Sequence, residues 1–245
     1  MPLQAAVSGI SLTNASVAFS GREVLADITL SLTEQRIGII GRNGSGKTTL
    51  LRLIAGLIPA TSGSVLIDGV DPATDRKAAL ASVGILFQNP DHQILFPTVE
   101  EELAFGLRQQ GQTDADARAK ARDALEAEGR GHWANAGTHT LSQGQRHYLC
   151  LLSVLLMAPK TILLDEPFAG MDLPTIARIT RRLAGLPQQI ITISHDPTAV
   201  AACDRVIWLE AGRIAAHGPA AEVVGMFVDR MHQIGAQDAD TDIAG

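Results

Sequence analysis

The octet Gly41-Arg42-Asn43-Gly44-Ser45-Gly46-Lys47-Thr48 sets glycines, an amine and a hydroxyl at the spacing G-x-x-x-x-G-K-[ST]. Glycines let successive backbone N–H groups turn inward around a phosphate, and a helix opening near Gly46 adds the positive end of its dipole. Lys47 then reaches terminal phosphates, and Thr48 offers a hydroxyl to Mg²⁺. A second stretch, Thr161-Ile162-Leu163-Leu164-Asp165-Glu166-Pro167, delivers two carboxylates at the end of an apolar run. Asp165 suits a magnesium-holding aspartate, and Glu166 a general base or water orienter. Gln88 and His195 each end an apolar run, and a polar group at the carboxyl end of a strand in an open α/β sheet faces the ligand crevice. Gln88 is therefore a candidate to hold the metal or the attacking water. His195 reads as functional in preference to structural. Leu141-Ser142-Gln143-Gly144-Gln145 opens a further helix with Ser142 as its N-cap, which makes a second helix start able to bind an anion.

These groups need a scaffold of parallel strands. Residues 36–40 form a short β-branched run suited to a buried strand, and residues 48–57 continue the loop as an apolar-faced helix ended by Pro59. Residues 12–19 and 27–32, separated by turn-prone Ser20-Gly21-Arg22, predict an antiparallel hairpin or meander ahead of the loop. Phe19, at the end of the first of these strands, suits either an adenine stack or the core. Residues 63–68 and 83–87 are further strands, the former closed by Asp68-Gly69. Helices take over from Thr98, where Thr98-Val99-Glu100-Glu101 is a capping box, to about Glu128, the stretch 113–128 being an exposed helix. Residues 129–137 read as a loop, and His132 within it and His139 just past it lack metal-ligand spacing. The helix from Ser142 runs to Pro159, residues 190–194 form a strand, residues 206–209 and 213–216 a closing hairpin, and residues 220–231 a last helix. Residues 237–245 are an acidic tail.

A chain of 245 residues can bury a sizeable core without disulfides. Cys150 and Cys203 sit in apolar surroundings and read as small core residues. The net charge of −6, with scattered lysines and arginines, argues against nucleic acid as the main partner. No signal peptide is visible, and apolar runs such as 154–158 and 162–164 fall far short of a membrane span. The expectation is a soluble cytoplasmic chain.

With phosphate loop, strand-end glutamine, L-S-x-G-Q helix start, I-L-L-D-E strand and strand-end histidine in that order, the chain resembles an ATPase subunit of ABC transporters over nearly its whole length. The resemblance implies a P-loop NTPase (RecA-like) α/β core with a parallel sheet, an N-terminal antiparallel β subdomain and an α-helical signature subdomain. It places the ATPase domain at 1–234, the helical subdomain at about 91–158 and a tail at 235–245. ATP and Mg²⁺ are the implied ligands. Arg42, Asn43, Gly44, Ser45, Gly46, Lys47, Thr48 and Thr49 would cradle the phosphates, Phe19 would stack on adenine, and Thr48, Gln88 and Asp165 would hold Mg²⁺. Glu166, His195, Gln88 and Lys47 would be catalytic. Ser142, Gln143, Gly144 and Gln145 would clasp the ATP of a second copy head to tail, and Asp172 would be the D-loop aspartate. Gln143 stands where the family usually has a glycine, so its side chain must point away from the phosphate or shift the loop.

Within the family, residues 87–93 followed by 98–106 resemble the energising subunits of energy-coupling-factor importers, with cobalt ions first and biotin second as cargo. The implied partners are a second copy or a related ATPase, a membrane-embedded coupling subunit and a substrate-binding membrane subunit, met at the cytoplasmic face of the membrane. Two rivals are a soluble ABC ATPase acting on DNA or the ribosome, and a P-loop GTPase or small-molecule kinase. The first wants coiled-coil insertions or a basic face. The second leaves residues 141–145 without a role and lacks an N-K-x-D element.

Overall fold

The computed structural model describes residues 9–236, which form two compact units. The first joins the chain up to residue 80 to the chain from 189 onward, and the second is residues 81–188. In chain order the first unit begins with β1 (Ile10–Phe19), β2 (Arg22–Leu32), β3 (Arg36–Ile40), α1 (Lys47–Ile54) and β4 (Ser62–Ile67), followed by α2 (Arg76–Ala81). The second carries β5 (Val83–Leu86), α3 (Val99–Gln109), α4 (Asp114–Ala127), α5 (Gln143–Leu156), β6 (Thr161–Asp165) and α6 (Leu173–Ala184). The chain then returns to the first unit with β7 (Gln189–Ser194), β8 (Arg205–Glu210), β9 (Arg213–Pro219) and α7 (Ala220–Ala236).

β1 pairs antiparallel with both β2 and β4. Its alternation buries Ile10 and Leu12, then slips one place to bury Ala15 and Val17. The slip is a bulge at Asn14, whose φ is 47°, and the Asn14 amide secures it by donating to Asp27 Oδ1 at 2.7 Å. β2 begins at Arg22, five residues before the expected 27, because the Ser20-Gly21 turn is tight and pairing resumes at once (Phe19↔Arg22).

β3 lies between β7 and β8, parallel to both, and β8 continues into the antiparallel hairpin with β9. A strand flanked on both edges and covered on both faces needs a continuous apolar run, and Ile37, Ile39 and Ile40 are fully buried. Gly38 is part of that demand, since a Cβ there would lie 2.6 Å from the Val200 side chain. α7 covers Ile40, Val206 and Trp208 with Ala220, Val223 and Phe227, and the Trp208 and Phe227 rings meet edge to face at 5.8 Å. It runs five residues past the expected end at 231.

In the second unit β5 and β6 are parallel neighbours. α5 packs on β5 so closely that a Cβ on Gly84 would fall 2.5 Å from Val154 Cγ1. α4 is exposed apart from a stripe of Ala117, Ala121 and Leu125 at i, i+4, i+8. It is held to α3 by Glu100, whose almost fully buried carboxylate accepts from Arg118 at 2.9 Å and from Arg122. The hydrogen bond from Arg122 is the main cause that keeps this carboxyl below the ordinary glutamate value. Thr98 caps α3 as expected. Glu101, however, takes the Thr98 hydroxyl (2.6 Å) in place of its backbone N–H, so the box closes side chain to side chain. After α4, the Arg130 guanidinium stacks on Trp133 (4.9 Å) and Tyr148 (4.4 Å), while Glu128 accepts from the Tyr148 hydroxyl and pairs with Arg182. Cys150 and Cys203 stay thiols: burial pushes them up to about 12 and about 11. Among the described residues no helix is long and apolar enough to cross a membrane.

Candidate nucleotide site

In the first unit the chain leaves β3 through Gly41, where a Cβ would sit 2.3 Å from the Leu209 carbonyl oxygen and 2.6 Å from Ser45 Oγ. Only glycine lets the loop turn back there. Gly44 (φ 79°) and Gly46 (φ 100°) are left-handed, and Gly46 is the N-cap of α1. No side chain caps α1 and no acid lies in its first turn. The N–H groups that open a helix have no intrahelical acceptor, so this end is built for an anion. Lys47 is buried, and its ammonium donates to the carbonyls of Gly41 (2.7 Å) and Arg42 (2.9 Å), which fixes it over the hollow of the loop. Ser45 Oγ is buried without a hydrogen-bond partner, a cost that a phosphate oxygen would remove. Thr48 is exposed at the first turn of the helix and Thr49 half-buried beside it. These residues fit a nucleotide phosphate with its magnesium.

His195 follows β7 and is exposed. Together with Gly41, Arg42, Asn43 and Pro197 it lines a cavity of about 620 Å³ whose other wall is Phe227, Val228, Met231 and His232 of α7. Phe19 is 49% exposed at the end of β1. Its ring is therefore not part of the core.

In the second unit every residue of β6 is buried, Asp165 included. Glu166 follows at φ 47°, a left-handed conformation uncommon for a residue with a side chain and concentrated at functional positions. Gln88 lies exposed just beyond β5. The chain around it is fixed by Asn89, which caps the 3₁₀ turn Pro90–His92, and by Gln93 Oε1, which accepts from Phe87 N at 3.2 Å. α5 grips this same turn: Arg146 pairs with Asp91 at 3.1 Å, and the Cys150 thiol points at the Pro90 carbonyl.

Ser142 caps α5 in a full capping box, with its hydroxyl accepting from Gln145 N and its own N–H donating to Gln145 Oε1 at 2.7 Å. A Cβ built on Gly170 would lie 3.2 Å from Gln143 Nε2, so the Gln143 amide rests on the Gly170 backbone. Gly144 is packed on Thr175. Asp172 caps α6 by accepting from Thr175 N at 2.9 Å, and hydrogen bonding from Thr175 keeps its carboxyl below the usual aspartate value. The first unit thus carries Phe19, the phosphate loop and His195, and the second carries Gln88, Ser142 to Gln145, Asp165, Glu166 and Asp172.

Sequence reasoning missed α6, although Asp172-Leu173-Pro174 ahead of Ile176, Ile179 and Leu183 is an N-cap followed by an apolar stripe. It also missed His147, two residues beyond Gln145, which is buried with Nε2 unpartnered. Burial depresses its pKa from 6.5 to about 4. Because the folded value is lowered, the unfolded chain binds more protons in that window, and stability present above pH 6.5 drains away as pH falls toward 4. Urea titrations should show a loss of about 2 kcal/mol between pH 7 and pH 5 from this group. His147→Phe should flatten that slope, and an unchanged slope would assign it elsewhere.

A glycine loop between a buried parallel strand and an uncapped helix, joined to an antiparallel β subdomain and a helical subdomain, defines a RecA-like P-loop NTPase. The sequence profile of the ABC transporter family matches residues 25–169. The chain is 50% identical over 228 residues to the biotin transport ATP-binding protein BioM of Rhodobacter capsulatus, covering 93% of this chain and 97% of that one. It is 40% identical over 183 residues to the energy-coupling factor transporter ATP-binding protein EcfA of Methanosphaera stadtmanae, covering 72% and 66%. Among solved structures, the dimeric bacterial ABC transporter cassette MJ0796 superposes with a TM-score of 0.75 at 26% identity, covering 86% of this chain and 98% of that one. The chain belongs to the ABC transporter family, is an ATP-hydrolysing subunit, and closely resembles the ATPases of energy-coupling-factor importers.

Proposed function

We propose that this ATPase powers a biotin importer of the energy-coupling-factor type from the cytoplasmic face of the membrane, with biotin ahead of cobalt ions as cargo. The observation that carries the reading is the 50% identity to a biotin transport ATP-binding protein along nearly that protein's whole length. Two copies clasp ATP head to tail, the loop of one facing Ser142 to Gln145 of the other, which gives the second anion-seeking helix start its use. Lys47 and residues 42–49 bind the phosphates, Phe19 stacks on adenine, and Glu166 orients the water for in-line attack, its proton passing to that carboxylate. His195 contacts the γ-phosphate, and Asp172 lies at the junction of the two copies. Thr48, Asp165 and Gln88 would hold Mg²⁺, which neutralises charge developing on the phosphates.

The segment after Gln88 passes closure to a membrane-embedded coupling subunit, and a separate membrane subunit selects the cargo. The grip of Arg146 and Cys150 on the turn after Gln88 supports such transmission within the second unit. Labelled biotin uptake in cells whose only copy carries Lys47→Ala should collapse while cobalt uptake is unchanged, and the chain should co-purify with membrane subunits. Collapse of cobalt uptake alone would reverse the cargo, and absence of any membrane partner would overturn the transport reading.

A further inference from the structure

α5 meets α6 at the starts of both helices, where the Gln143 amide rests on the Gly170 backbone and Gly144 packs on Thr175. It is tied to α6 again about 6 Å further along its own axis and about 10 Å further along that of α6, where Tyr148 reaches Arg182 through Glu128. Glu128, the C-cap of α4, divides its carboxylate between them: Oε2 accepts from the Tyr148 hydroxyl, and Oε1 pairs with Arg182 at 2.9 Å. The Tyr148 ring is buried under the Arg130 guanidinium at 4.4 Å, and Arg130 in turn donates to the Glu128 carbonyl at 2.9 Å. Burial pushes the hydroxyl up to about 12, so it keeps its proton and stays a donor to the carboxylate. Arg182 is 44% exposed, and water screens its half of the link, which leaves the buried hydroxyl as the stronger half. Packing under Arg130 would be served equally by phenylalanine; the hydroxyl adds only the bond to Glu128.

A helix held at one point can roll and tilt about it, and a second point removes that freedom. What the second point fixes here is the direction in which Ser142 to Gln145 face relative to Asp172, the N-cap of α6. We propose that Tyr148 and Glu128 are positioning residues for ATP hydrolysis, which through Arg182 set α5 against α6 so that Ser142 to Gln145 reach the phosphates bound by a second copy. The role presupposes the two-copy reading above. Neither side chain touches nucleotide in it: the effect is geometric, and a misplacement of about 1 Å at a reacting centre can lower a rate by up to about a hundredfold. Tyr148→Phe is expected to lower kcat about tenfold while ATP affinity stays within about twofold of the parent, since the loop and Lys47 are untouched.

The change can be placed in one copy at a time. Full-length protein carrying Lys47→Ala offers a partner only its Ser142 face, and full-length protein carrying Ser142→Glu offers only its loop, so a mixture of the two works through one kind of centre. Tyr148→Phe added to the Lys47→Ala copy should lower hydrolysis by the mixture about tenfold. Added to the Ser142→Glu copy, it should leave the rate of the mixture near its starting value. Glu128→Ala should act in the same one-sided way, and the two changes together in the Lys47→Ala copy should cost little more than either alone, because they remove one shared bond. Thermal melting of each protein, and ATP affinity of those with an intact loop, check that the fold persists. Losses that are equal from either copy, or larger from the loop-giving copy, would make the contact merely structural, and no loss from either would make it idle. Both results overturn the inference and leave the two-copy reading standing. A starting mixture that hydrolyses no ATP would remove that reading and the positioning role with it.

Discussion

Replacing Glu166 by glutamine is expected to cut steady-state ATP hydrolysis by roughly two to four orders of magnitude while ATP affinity stays within a few-fold of the parent. Glutamine has nearly the same size and can still hydrogen-bond a water, but it cannot take a proton. The position is fixed by the fold: β6 is buried throughout, and the chain turns left-handed at Glu166 itself, φ 47°. A residue held so is aimed by its backbone, and the substitution leaves the backbone alone. On the proposed reading phosphate binding rests on the loop and Lys47, which the substitution does not alter, so affinity survives. Unchanged hydrolysis would take Glu166 out of its role. A turnover defect accompanied by lost binding would make its role structural.

Lys47→Ala should abolish nucleotide binding at concentrations where the parent is saturated, a loss of at least about a hundredfold in affinity. On the proposed reading the ammonium does two things at once: it supplies positive charge for terminal phosphates, and its bonds to the carbonyls of Gly41 and Arg42 hold the loop in its curled form. Lys47→Arg should rescue little, because a planar guanidinium cannot reproduce a buried point charge between two carbonyls. Titration calorimetry with ATP decides it, and parent-like affinity in the alanine variant would contradict the assignment of the loop.

The phosphate loop, β6 and the start of α5 were legible because their chemistry is local. Glycine spacing, an unbroken apolar run and an N-cap each act within a few residues. The fate of Gln143 was half legible. Its residue type required the side chain to turn from the phosphate or move the loop, but that it would lie on Gly170 depends on a segment 27 positions further on, packed there by the fold. Glu100 read as part of a helix cap. Its burial under Arg118 and Arg122 depends on two helices meeting, and no local pattern announces that. α6 went unread although Pro174 stands in its first turn, where a helix tolerates proline. The wall that α7 lends to the cavity has no motif, since Phe227, Val228 and Met231 look like any apolar helix face until the loop is placed beside them.

The central claim is that each catalytic centre is completed by a second copy, and mixing two inactive proteins tests it most directly. One carries Lys47→Ala and cannot bind ATP; the other carries Ser142→Glu, whose carboxylate would repel the phosphates of its partner. Each should be inactive alone. In an equal mixture, mixed pairs pair the intact loop of one protein with the intact Ser142 of the other, and hydrolysis should reappear at a substantial fraction of the parent rate. A Ser142→Glu protein that hydrolyses ATP normally on its own, or a mixture that stays silent, would contradict the account.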